Sequence, residues 1–128
     1  MPLQTGEHDG VVIVCARGIP EPHEFAAAME RLRKPTVTAL FVHAEEDGLH
    51  ARQRAQIAGV CVRGGFPIAV VTDSRLARGS AKAVGWLGAK IQAFELTEAR
   101  QAFLSLGISV AEVPAYLAAY RALLRLHD

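Results

Sequence analysis

A single α/β domain with a four-stranded, mainly parallel sheet is the fold this sequence predicts, and three observations predict it. Short apolar runs rich in β-branched residues recur four times along the 128 residues. Segments with helical periodicity separate them, and strands spaced by helices of about 10–15 residues close as parallel sheets with right-handed crossovers. Hydrophobic residues make up 51% of the chain, enough at this length to bury one core.

The predicted strands cover residues 11–15, 37–42, 68–71 and 90–94. The first three are almost continuously apolar, as strands covered on both faces must be. The fourth, Lys90-Ile91-Gln92-Ala93-Phe94, alternates and reads as an edge. A first helix follows Pro20-Glu21-Pro22, with Phe25, Met29 and Leu32 as its apolar stripe. The second helix, after residue 48, carries two stripes. Ala51, Ala55, Ala58 and Val62 form a small-residue face suited to the sheet, and Leu49, Ile57 and Val60 lie almost opposite, left over for a partner or a second copy. The third helix spans 74–87. At ~100° per residue, Leu76, Ala77, Val84 and Leu87 face the sheet, and Arg75, Arg78, Lys82 and Trp86 face water. Thr97 is the expected N-cap of a fourth helix that stops at Gly107. An additional amphipathic helix, with Pro114 in its first turn, occupies part of 110–128. Its large apolar groups require cover, from the Trp86 face or from a second subunit. The domain proper is 10–109.

Charge and cysteine usage narrow the function. Fourteen basic residues against thirteen acidic ones leave a formal charge of +1, which argues against nucleic acid as a partner. No apolar run approaches the roughly 18 residues of a membrane span. The opening residues have neither a basic leader nor an apolar segment, so no secretory signal is expected. Two cysteines, Cys15 and Cys61, fit a reducing cytoplasm better than a disulfide framework.

Four strings resemble the STAS family of anti-sigma-factor antagonists, and its SpoIIAA-like, STAS/SEC14 branch. They are the strand and glycine of 11–18, Gly64-Gly65-Phe66-Pro67-Ile68-Ala69-Val70-Val71, Arg78-Gly79 early in a helix ending Trp86-Leu87-Gly88, and Ala93-Phe94-Glu95-Leu96-Thr97-Glu98 leading into 102–108. The resemblance covers about residues 10–109. It implies a bacterial, non-enzymatic signalling module that binds a regulatory protein or itself. The SEC14 side implies, as an alternative, a small hydrophobic-ligand or lipid-binding domain. No cofactor is implied. Switchable members of the family carry a phosphorylatable Ser in the loop after the second core strand. Here that loop reads His43-Ala44-Glu45-Glu46-Asp47-Gly48-Leu49-His50, and no Ser or Thr occurs from Val42 to Arg63. Family members often begin with an additional strand before 11, and none is evident in this chain.

Partner-binding candidates fall in three groups. Glu45, Glu46 and Asp47, with Gly48 after them, precede a helix, where carboxylates ordinarily cap free N–H groups; alternatively the three carboxylates stand as a fixed negative patch in place of a phosphoserine, with Glu46, Asp47 and Gly48 as the binding candidates. Leu49, Ile57 and Val60 form the leftover stripe. Arg75, Arg78, Lys82 and Trp86 form a basic face around a lone tryptophan, and large exposed aromatics mark binding surfaces. Metal binding by His43 and His50 lacks a compact ligand spacing. Asp73 or Ser74 is first of all an N-cap, and Ser74 has neither a nucleophile elbow nor a nameable base.

Overall fold

Asp9 and Gly10, at φ 45° and 84°, form a two-residue turn with both residues left-handed. That turn joins β1 (Leu3–His8) to β2 (Val11–Ala16) as an antiparallel hairpin, in register from His8↔Val11 to Leu3↔Ala16. The sheet therefore has five strands, one more than predicted. Gln4-Thr5-Gly6-Glu7-His8 is too polar to read as a strand by composition, and the Asp-Gly pair was the available signal. The computed structural model describes residues 3–45 and 49–126.

From β2 the chain proceeds through α1 (Pro22–Leu32), β3 (Ala39–Ala44), α2 (Ala51–Gly64), β4 (Ile68–Val71), α3 (Arg75–Trp86) and β5 (Ile91–Phe94). A 3-10 turn (Leu96–Glu98) then leads into α4 (Ala99–Ser105) and α5 (Val113–Arg125). Strands β2 to β5 are parallel neighbours in chain order, and β1 closes one edge.

Alternation along the strands divides the interior in two. Val12, Val14, Leu40, Ile68 and Val70 point to α1, α2 and α3. Val11, Ile13, Phe41, Ala69 and Val71 point to α4 and α5. The second layer is built on aromatic rings. Phe41 and Phe103 stack with centroids 4.1 Å apart, and Tyr120 meets Phe41 edge-on at 4.8 Å.

Three helix faces depart from the expected ones. On α2, Ala58, Val60 and Cys61 are buried, with Ile57 and Leu49 packed partly against the same core, whereas Ala51, Ala55 and Val62 are exposed. Large β-branched side chains displaced alanines from the sheet side because they bury more apolar surface there. On α3 the sheet face is Ala77, Ser80, Ala81 and Val84, and Leu76 and Leu87 lie on its margin in water. The C-terminal helix does not cover Trp86, which stays exposed. Val113, Tyr116, Tyr120 and Leu123 of α5 bury against α4, β1 and β2, on the face of the sheet opposite α3. Thr97 lies inside the 3-10 turn, which is closed by Glu95 and Glu98 instead. Among the described residues no helix is long and apolar enough to cross a membrane.

Candidate functional site

The carboxyl ends of β2, β3 and β4 hold a chain of polar contacts, at the edge of a parallel sheet where ligands commonly bind. His43, the fifth residue of β3, is buried between two partners. Its Nε2 is 2.8 Å from Glu45 Oε2 and its Nδ1 is 2.6 Å from the Tyr120 hydroxyl. A carboxylate can only accept, so in the neutral imidazole Nε2–H donates to Glu45 and Nδ1 accepts the Tyr120 O–H. Arg17, just after β2, brings Nε to 3.0 Å from the same Glu45 oxygen, as an ion pair without hydrogen-bond direction, and its Nη2 donates to Leu124 O at 3.0 Å. The last turn of α5 is thus tied to the loops after β2 and β3.

A tyrosine, an imidazole and a carboxylate in series have the order of a nucleophile–base–orienter relay. The environment opposes that use. Burial first, then the nearby Cys15 and Glu45, hold the Tyr120 hydroxyl well above its ordinary range, against the smaller opposing pull of Arg17 and Arg121. Burial likewise pushes the Cys15 thiol up to about 12, Arg17 pulling it down less than burial raises it. Cys61 is pushed to about 12 by burial alone. These groups keep their protons at neutral pH, and the His43–Tyr120 contact ties β3 to α5. Sequence reading named His43 only as a weak metal ligand. Its partner Tyr120 lies 77 positions away, beyond any local pattern.

The acidic loop resolves differently from expectation. His50 caps α2, its Nδ1 accepting from the Gln53 N–H at 3.3 Å, and Glu45 is engaged by His43 and Arg17. Glu46, Asp47 and Gly48 lie outside the described residues. Leu49, Ile57 and Val60 are drawn inward; Val60, 3% exposed, contributes to the core and offers no surface to a partner. Ser74 is the N-cap of α3, accepting from the Ala77 N–H at 3.2 Å, while Thr72 Oγ1 donates to Ala44 O at 2.6 Å and accepts from the Ser74 N–H.

The α3 face is the candidate that stays in water. Trp86 is 79% exposed, Leu76 70% and Leu87 54%. Arg78 is partly engaged, paired with Glu95 Oε1 at 2.9 Å and donating to Thr72 O. Arg75 and Lys82 are exposed, with no described carboxylate at ion-pair distance. Compared with protein-family models, with curated proteins and with solved structures, the chain matches none of them.

Between the sheet and the α1–α3 layer runs an apolar cavity of about 120 Å³, with Phe25, Met29, Val42, Leu49, Ile57 and Val84 in its lining. Ala28, Ala77 and Ala81 are among its lining, and their methyl groups fill less of the interior than larger side chains would.

Proposed function

We propose that this chain is a STAS-like, cytoplasmic protein-interaction module whose contact surface is the outer face of α3. The observation that carries the reading is Trp86, a large aromatic held in water by a well-capped helix, flanked by apolar margins and unneutralised cations. Interfaces draw much of their energy from tryptophan and arginine anchors of this kind. The parallel β2–β5 run with a helix after each of β2, β3 and β4 supports the family likeness, as does the antiparallel first strand. Without a hydroxyl in the loop after β3, binding is constitutive and not gated by phosphorylation there. Two cysteines are too few for a disulfide framework, which supports the cytoplasmic reading.

The test is site-directed photocrosslinking in the native host, with a photoreactive amino acid at position 86 and, as control, at exposed Arg121 on α5. A discrete adduct from position 86 and not from 121 supports the reading. Equal adducts from both positions, or none from 86, overturn it.

The cavity favours a second reading, a small hydrophobic-ligand domain. Apolar cavities of comparable size stay dry and accept guests as small as benzene or xenon. Native mass spectrometry after mild purification decides it: a bound apolar mass supports the reading, and a clean apo mass removes it.

A further inference from the structure

The near-neutral composition conceals a segregation of charge. Helices α2 and α3 together carry six cations, Arg52, Arg54, Arg63, Arg75, Arg78 and Lys82, and not one carboxylate. The two helices pack side by side on the same face of the sheet. Arg54 is occupied with Leu49 O, and Arg78 with Glu95. Arg52, Arg63, Arg75 and Lys82 remain exposed, with no described carboxylate at ion-pair distance.

The outward stripes of the two helices share one spacing. On α2 the stripe is Arg52, Gln56, Gly59 and Arg63; on α3 it is Arg75, Gly79, Lys82 and Trp86. Glycine stands within each stripe, and a methyl group added at Gly79 would meet nothing within 4 Å. At the far end, Val62 Cγ2 lies 3.8 Å from the position a methyl at Gly88 would take, so the ends of α2 and α3 converge on Val62, Trp86 and Leu87. Leu76 stands at the other end of α3, ten residues or about 15 Å from Trp86.

We propose that the α2–α3 surface docks an acidic amphipathic segment of a partner protein; this rests on the interaction-module reading and names the chemistry of the partner. A ligand for this surface must bring negative charge along its length, to meet Arg52 and Arg75 at one end, Lys82 within and Arg63 at the other, and apolar groups to meet Leu76 and the Val62, Trp86 and Leu87 end. A helical segment with carboxylates and leucines interspersed along one face has that layout, and Gly79, where an added methyl would meet nothing within 4 Å, leaves room for its backbone to approach. An anionic bilayer is less well matched, since one entered by the Val62, Trp86 and Leu87 end would leave Leu76, about 15 Å away along α3, in water. Nucleic acid leaves the leucines and valine unused.

Trp86 is the only tryptophan in the chain, so the full-length protein reports on its own surface. Titration with a synthetic peptide of Glu and Leu at helical spacing is expected to shift its emission to the blue, saturably, and more weakly as salt is added. The double variant Arg75→Glu/Lys82→Glu, checked for an unchanged circular dichroism spectrum, is expected to lose about tenfold or more in affinity, as like-charge contacts would impose. Arg100→Glu, on α4 across the sheet, is expected to bind as wild type. No shift with the peptide overturns the proposal, as does an equal shift with its Lys-for-Glu counterpart. A shift produced only by phosphatidylserine-containing vesicles, or only by duplex DNA, replaces it with a membrane or nucleic-acid surface. If the peptide fails while the adduct at position 86 persists in the Arg75→Glu/Lys82→Glu protein, the acidic partner is wrong and the interaction module stands. If no adduct forms at all, the broader reading falls.

Discussion

Tyr120 and His43, 77 positions apart in the chain, meet at 2.6 Å between hydroxyl and Nδ1. The contact lets two polar groups sit inside an apolar layer, because each satisfies the other and Glu45 takes the remaining imidazole nitrogen. It also decides where α5 goes: a helix that could cover any apolar surface is placed by a directional bond as well as by Val113, Tyr116 and Leu123.

Tyr120→Phe should therefore cost about 1–3 kcal/mol, the usual penalty for leaving a buried acceptor unpaired. Combining it with His43→Leu should cost less than the sum of the two single changes, since the orphaned nitrogen is then gone. Urea denaturation of the three variants measures this. Strict additivity would show that the bond carries no coupling.

Replacing Arg17 with Met removes the donor to Leu124 O and one of the two partners of Glu45. Helix C-terminal carbonyls have no intrahelical donor, so the last turn of α5 should fray. Hydrogen exchange should accelerate over that turn and stay near wild type in β2–β4. Uniform acceleration across the sheet would instead mark Arg17 as a determinant of global stability.

Gly10→Ala should destabilise by more than the ~1–2 kcal/mol that a left-handed residue with a side chain costs. Its Cβ would stand 2.8 Å from Thr36 O and 3.0 Å from Thr38 Oγ1. Gly65→Ala is the matched control, with φ 71° and nothing within 4 Å, so it should show the conformational cost alone. Thermal melts that rank Gly65→Ala as the more damaging change would contradict the hairpin geometry.

The buried thiols make stability pH-dependent on the alkaline side. Folding raises Cys15 and Cys61 from 9.0 to about 12. Above pH 9 the unfolded chain releases these protons while the folded chain keeps them, so their contribution is complete below pH 9 and declines as pH rises toward 12. The loss is at most about 1.4 kcal/mol per thiol per pH unit. Melting temperatures of Cys15→Ala/Cys61→Ala should fall less steeply than wild type over that window. Parallel curves would show that other groups account for the loss.

The alternation of strands and helices, the buried character of β2 to β4 and the edge position of β5 were legible in local sequence, whereas periodicity put Trp86 on the outer side of its helix without saying whether α5 would cover it. Each depends on spacing or composition within one segment. The helix faces were legible only to within a margin residue. Leu76 and Leu87 sit near the boundary between sheet side and water, and periodicity alone does not say where a flat sheet stops covering a curved helix. On α2, two stripes competed, and the larger side chains Ile57 and Val60 took the interior. The hairpin was missed: Asp9-Gly10 was a local signal for its turn, but the polar strand before it carries no apolar alternation.

What the sequence by itself determined is the set of elements from β2 onward, since hydrogen bonding within a helix and alternation along a strand are short-range and leave their period in the chain. Only the tertiary structure decided which surfaces survive. It sent α5 to the far face, joined His43 to Tyr120, buried Val60 and turned Leu49 and Ile57 partly inward, and set α2 beside α3 so that their cations share one surface. Those outcomes follow from competition among distant apolar faces for the two sides of one sheet, and a contact between residues 77 positions apart has no local pattern to announce it.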